Sequence, residues 1–284
     1  MIETISLLPG ITLRVCRDTR FKQGCLSFQL VRQMDASEAA LNALLPSVLL
    51  RGTRNCPDLK SITEHLDELY GASVSPLVRR VGDYQTTGLY CGFMDDRFAL
   101  PGDQVFRPML AFLEELLLDS PLENGGFLPS FVESEKRNLI ATIESQKNDK
   151  RAYAGSQMIK KMCQADSFGI PRLGTIAHVE AITPQTLYAH YRKILRESPV
   201  NLLYVGSAKP EAVAALLPPV PTEDFYRIRL TGDGPVDVEA LEAEFSDFPN
   251  LELRDKTVLR DRMERTDNLS SRVWTPVRVK TTSY

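Results

Sequence analysis

Residues 41–53 read Leu-Asn-Ala-Leu-Leu-Pro-Ser-Val-Leu-Leu-Arg-Gly-Thr, and the fold of the whole chain turns on how this stretch is read. Its apolar residues are dense enough for a buried helix, and Gly52-Thr53 closes it. Pro46 is awkward there, because a proline inside a helix withholds a backbone N–H from the ladder and kinks the axis. Ser47 adds a hydroxyl where a core helix would carry Leu or Ala. The segment is a core helix with two positions that packing does not explain.

Working outward, residues 25–34 alternate Leu26, Phe28 and Leu30 with polar neighbours, the period of a half-buried strand. Residues 3–8 and 11–16 are β-type runs split by the turn Pro9-Gly10. Downstream, Asp58 is placed to cap a helix that sets Leu59, Ile62, Leu66 and Leu69 on one face, with Gly71 as a left-handed stop. Residues 73–81 and 85–93, around Gly82-Asp83, read as a hairpin. Helices are expected over 104–118, with Val105, Met109, Leu113 and Leu116-Leu117 inward, and over 130–146, where Ser130 and Glu133 have capping-box spacing. Another covers about 151–163. Thr183-Pro184 opens a further helix, with Leu187, Tyr191, Ile194 and Leu195 on its inner face. A strand over 200–205 ends at Gly206, and a short helix over 209–217 precedes the break Pro218-Pro-Val-Pro221. Hairpins followed by a run of helices predict an α+β architecture, an antiparallel sheet with helices packed on one face.

Composition excludes several function classes. The 284 residues allow one large or two smaller domains, and 43% hydrophobic with 25% charged residues fits a soluble globular protein. A net charge of −3 gives no electrostatic footprint for nucleic acid, and no block of like charges suits an anionic membrane. No basic region precedes an apolar stretch at the N-terminus, so no secretory signal is expected. Apolar runs such as 110–118 are short and interrupted by charge, so no membrane span is expected. The five cysteines, Cys16, Cys25, Cys56, Cys91 and Cys163, are odd in number and lack a C-x-x-C pair, as in a cytoplasmic protein with reduced thiols.

Chemistry is thin. The three histidines, His65, His178 and His190, form neither H-E-x-x-H nor H-x-x-E-H. His65 belongs to a regular amphipathic helix, His190 to a helix whose inner face other residues already fill, and His178 to a loop-like segment. No serine sits in G-x-S-x-G, and no glycine spacing fits a phosphate cradle. Asp95-Asp96 and Glu114-Glu115 read as solvated charges. The residues alone point to a domain without cofactor.

The run Leu49-Leu50-Arg51-Gly52-Thr53, Pro57 in the following loop, Ile62, and Leu66-Asp-Glu-Leu-Tyr-Gly-Ala72 together resemble the insulinase-like (pitrilysin) metallopeptidase family. There, a helix carrying H-x-x-E-H runs into a Gly-Thr ending, and a second helix stops at a Gly-Ala step. The resemblance continues through 130–146, Asn148–Arg151, Phe168–Thr175, Ile182–Tyr191 and Tyr204-Val-Gly206. It covers about 1–206, one repeat of a two-repeat peptidase unit, and implies an α/β roll. Counting back from Gly52-Thr53, it puts the family's first histidine at Ala43, its glutamate base at Pro46 and its second histidine at Ser47. The third ligand falls at about Thr142. The resemblance thus implies a non-catalytic homologue with no zinc, similar to a bacterial subgroup associated with aminopentanol modification of elongation factor P. It further implies a heterodimer with a catalytic relative and a share in binding peptide, with a homodimer as an alternative.

The expected organisation is a repeat over 1–208, a connector over 209–264 and an atypical tail over 265–284, shortened and poorly ordered. The family's Arg and Tyr from a second repeat have no matching positions. The alternatives are a truncated fragment without function, or an enzyme whose chemistry the sequence does not display.

Overall fold

The computed structural model describes residues 2–217 and the strands at 225–230, 251–253 and 273–279. The chain divides into two units, Met1–Pro218 and Pro219–Tyr284. In the first, β1 (Ile2–Leu8) and β2 (Ile11–Arg17) fold back at Pro9-Gly10, where Gly10 takes the left-handed φ of +79° that a glycine adopts without strain. The chain then builds β3 (Gln23–Gln33), α1 (Ala39–Leu49), α2 (Leu59–Glu68), β4 (Ser73–Val81), β5 (Tyr84–Met94) and α3 (Phe106–Leu118). A two-residue ladder of β6 (Leu122–Glu123) and β7 (Gly126–Phe127) leads to α4 (Pro129–Ser145), α5 (Lys150–Met162), α6 (Ile176–Glu180) and α7 (Pro184–Glu197). β8 (Val200–Gly206) and α8 (Pro210–Leu216) close the unit.

The α+β class holds, with one correction to the sheet. The six strands run in the order β1-β2-β8-β3-β5-β4, and β2 pairs with β8 in parallel, from Ile11↔Val200 to Arg17↔Gly206. The other pairings are antiparallel. The reason is geometric: β2 and β3 run in opposite directions, so a strand inserted between them must be parallel to one. Burial alternates along β2 and β8, with Leu13, Val15, Leu202 and Tyr204 inward. On that sheet α1 packs against β4 and β5, and against α4, α6 and α7. Leu44, Leu89, Met109, Leu116, Leu187 and Ile194 fill the core between the layers.

Local signals placed most helix ends. The Asp58 carboxylate accepts from Ser61 N at 2.8 Å, and Thr183 and Thr186 cap α7 reciprocally. Gly71 and Gly82 adopt φ of +68° and +59°, ending α2 and turning β4 into β5. Three expectations fail. Asp95, read as a solvated charge, is buried and accepts from Arg97 Nε at 2.9 Å and Ser207 N at 3.1 Å. No capping box forms at Ser130 and Glu133, because Pro129 starts α4 a residue earlier, and Glu133 pairs instead with Lys136 at 3.1 Å. His178 lies in α6, not a loop, because Thr175 accepts from its backbone N–H and caps that short helix.

In the second unit β9 (Phe225–Leu230), β10 (Leu251–Leu253) and β11 (Val273–Val279) form an antiparallel sheet ordered β10-β11-β9. β11 falls within the 265–284 tail; the rest of that tail and most of the 209–264 connector beyond Leu217 lie outside the described residues.

Two glycines make contrasting predictions. A Cβ on Gly88 of β5 would lie 1.9 Å from the Phe28 carbonyl oxygen on β3, so Gly88→Ala must part the central strands. It is expected to cost about 3 kcal/mol or more in urea unfolding. Gly155→Ala, inside α5 with nothing within 4 Å of its new methyl, is expected to stabilise by about 0.5–1 kcal/mol.

Candidate functional site

The site the sequence singles out is α1, and a buried polar cluster fixes that helix to the sheet. Asn42 is fully buried and uses three of its groups. Its side-chain oxygen accepts from His190 Nε2 of α7 at 2.7 Å, and its Nδ2 donates to Gln85 Oε1 of β5 at 2.9 Å. Its backbone carbonyl accepts from the Thr87 hydroxyl at 2.6 Å. Gln85, also fully buried, donates onward to the carbonyls of Ala39 at 3.1 Å and Arg172 at 2.7 Å.

This cluster accounts for the proline. In an uninterrupted helix the Asn42 carbonyl would receive the N–H of residue 46, four positions later. Pro46 has none, and the Thr87 hydroxyl supplies the missing donor. The Asn42 amide oxygen only accepts, so His190 Nε2 carries the proton. His190 is 7% exposed, and burial pushes its pKa down to about 4, leaving the ring neutral near pH 7. Above the cluster, Glu38 takes Arg32 at 2.9 Å and Lys193 at 2.8 Å. Partial burial would raise the Glu38 pKa, but hydrogen bonds from Lys193 and Arg32 outweigh it and hold it low.

The far end of α1 is equally constrained. The buried Thr53 hydroxyl donates to Glu115 Oε1 at 2.6 Å and accepts from Cys56 N at 2.8 Å. A Cβ on Gly52 would stand 2.7 Å from the Pro57 carbonyl oxygen, so the Gly-Thr ending is required by packing.

The structure places Ala43, Pro46 and Ser47 within little more than one turn of α1 and Thr142 on α4, which packs beside it. Arg51, just past the end of α1, pairs with Glu135 of α4 at 3.4 Å. Ala43 is 4% exposed and offers only a methyl; Pro46 is buried and offers only its ring. Ser47 is half-buried. Thr142 is exposed, and its hydroxyl donates back to the Asn138 carbonyl at 2.8 Å. None of these four carries the imidazole, carboxylate or thiolate that binds zinc, so this donor set does not fit the ion. Among the described residues no group of three His, Cys, Asp or Glu side chains is arranged to hold a metal.

Next to Thr142 a groove of about 720 Å³ opens between the end of α4, α5 and residues 167–176. Ile143 lines it, and so does Gly174, whose added Cβ would stand 2.7 Å from that of Ala40 on α1.

Known proteins with the same arrangement of elements are similar to this chain over most of its length. The chain is 28% identical over 208 residues to the "Probable inactive metalloprotease YmfF" of Bacillus subtilis, covering 73% of this chain and 49% of that protein. The structure of a conserved protein from Enterococcus faecalis superposes with a TM-score of 0.72 at 26% identity, over 78% of this chain and 52% of that one. The inactive peptidase M16 domain from Pseudomonas fluorescens superposes at 0.58 with 14% identity, over 76% and 49% of the two chains, and shows the same fold. Pitrilysin itself gives 0.56 at 14% identity, over 76% of this chain and 22% of pitrilysin. The chain is similar to inactive insulinase-like peptidase homologues and shares their fold. No protein-family model matches it. This homologue spans about half the length of the curated relative it matches. No helix among its described residues is long and apolar enough to cross a membrane.

Sequence reasoning missed the cluster under α1. It set His190 aside as a residue beside an already filled face, whereas His190 is part of that face. One signal was present: Gln85 and Thr87 share the inward parity of Leu89, Cys91 and Phe93, and polar residues at inward positions need partners.

Two predictions test the cluster. Thr87→Val strands the Asn42 carbonyl and should cost about 1–3 kcal/mol in urea unfolding. In a Pro46→Ala background, where residue 46 again has an N–H, the same change should cost clearly less, as a double-mutant cycle would show. The low His190 pKa means that the unfolded chain binds the extra proton first. Stability should therefore fall as pH drops from about 6.5 to about 4, by up to about 3 kcal/mol. His190→Gln, which retains an N–H donor for Asn42, should flatten that part of the profile.

Proposed function

We propose that this homologue is the non-catalytic subunit of a pair, docking on a catalytic insulinase-like zinc peptidase and helping to hold the peptide. The observation that supports this is the contrast within α1. Its packing, polar anchoring and Gly-Thr closure are kept, while the positions that would serve zinc, Ala43, Pro46, Ser47 and Thr142, carry no suitable donor. A scaffold retained without its chemistry fits a role in shape and contact. Pairing with an active subunit would supply the metal-activated water that this chain does not generate. The five free cysteines fit a reducing compartment, and we assign the pair to the cytoplasm.

The test is co-expression of the full chain with a catalytic insulinase-like relative encoded in the same genome, followed by gel filtration with light scattering. A one-to-one complex is expected, with faster peptide cleavage than the catalytic subunit shows alone. Separate elution of the two chains, or a symmetric dimer of this chain that excludes the relative, would overturn the proposal.

A further inference from the structure

The pairing proposal leaves open which peptides the chain holds, and the groove beside Thr142 bears on that question. α5 is a thirteen-residue helix with no buried residue, a state in which packing contributes little to its stability. Its Tyr153 and Ile159 face the groove, together with Ile143 of α4 and Phe168 and Ile170 of the following turn. Met162, at the end of α5, is 76% exposed. An apolar floor of this kind accepts a side chain from outside.

The rim is cationic and lacks acidic partners. The Arg80 guanidinium donates to the carbonyls of Ser167 at 2.7 Å, Phe168 at 2.8 Å, Ile170 at 2.9 Å and Gly82 at 3.0 Å, all of them neutral acceptors. Arg172 donates to the Val78 carbonyl at 2.5 Å. Lys147 and Lys160 have no side-chain hydrogen bond or ion pair among the described residues. Asp149 is the single carboxylate in the lining, and it is committed to capping α5 through the N–H groups of Arg151 at 3.1 Å and Ala152 at 3.0 Å. Four cations therefore face one groove with a single, already engaged carboxylate, in a chain whose net charge is −3.

Resting on the peptide-holding part of the function proposed above, we propose that this groove selects acidic peptide segments. An aliphatic or aromatic side chain enters the floor, flanking Asp or Glu residues meet the unbonded Lys147 and Lys160, and Arg80 and Arg172, held by backbone carbonyls, add fixed positive charge to the rim. A peptide suits the groove better than a nucleic acid strand. The face of Phe168 is already covered by Arg80, 4.5 Å from the ring centroid, and most of the remaining floor is aliphatic, so little surface is free for base stacking.

The experiment is fluorescence anisotropy on the full chain with a fluorescein-labelled peptide of alternating Glu and Leu. Its Gln-Leu, Lys-Leu and Glu-Ser counterparts serve as comparisons. The Glu-Leu peptide is expected to bind at least about tenfold more tightly than each of the others, and to weaken as salt is raised. Lys147→Glu with Lys160→Glu should weaken it by about tenfold, with an unchanged circular dichroism spectrum because both side chains are unbonded in the fold. Equal binding of the Glu, Gln and Lys peptides would overturn the proposal. So would displacement by a single-stranded oligonucleotide of higher affinity, or self-association that the double substitution abolishes in the absence of peptide binding. Gel filtration with the catalytic relative on the same samples separates the two proposals. A complex without acidic preference defeats only the groove, and acidic preference without a complex defeats only the pairing.

Discussion

Asn42 is the point at which α1, β5 and α7 are tied together. Its amide reaches a strand and a second helix at once, and its backbone carbonyl is the acceptor that Pro46 leaves unserved. In a low-dielectric interior such a network is stabilising only when every member is satisfied, and a single deletion exposes the desolvation cost of those that remain. The orientation of α1 depends on it. Through α1 so do the seating of α4, the approach of Gly174 to Ala40, and the Gly-Thr corner that Glu115 and Pro57 enclose.

What the sequence made legible was local. Asp58, Thr183, Gly71 and the turns at Gly10 and Gly82 act within a few residues of themselves, and each stands where its chemistry predicts. Contacts across long stretches of chain were less visible. Nothing in Val200–Gly206 announces that this strand enters between β2 and β3, because the choice of neighbours is made by the packed helices and by the pleat of strands already paired. His190 likewise looked superfluous on its helix until Asn42, far away in the chain, supplied the acceptor that makes its burial affordable. Ser130 and Glu133 show the opposite error, a correct local pattern displaced by a stronger one, since Pro129 had already fixed where the helix begins.

The candidate site was legible in a different manner, through what its residues lack. Ala43 and Pro46 offer no donor, and the structure adds that the Thr142 hydroxyl is turned to its own helix. The anchoring that would orient catalytic side chains nevertheless remains in place. Pro46 is accommodated because β5 offers Thr87 at the right height, and its hydroxyl serves the Asn42 carbonyl. A proline can sit inside this buried helix because one hydroxyl from the neighbouring strand replaces the N–H it lacks.

The insertion of β8 has a consequence for the order in which the chain can acquire its shape. β2 and β3 emerge early in synthesis, yet the edge each turns to the other must wait for a strand, β8, made well over a hundred residues later. Until then the nascent sheet exists as two separate pieces, a β1–β2 ribbon and a three-stranded β3–β5–β4 sheet, each presenting a row of unpaired backbone groups. Such edges invite pairing with other chains, and closure over so long a loop is slow. The last strand of the sheet is therefore a keystone in time as well as in space, and the protein is most vulnerable to aggregation in the interval before residue 206 leaves the ribosome.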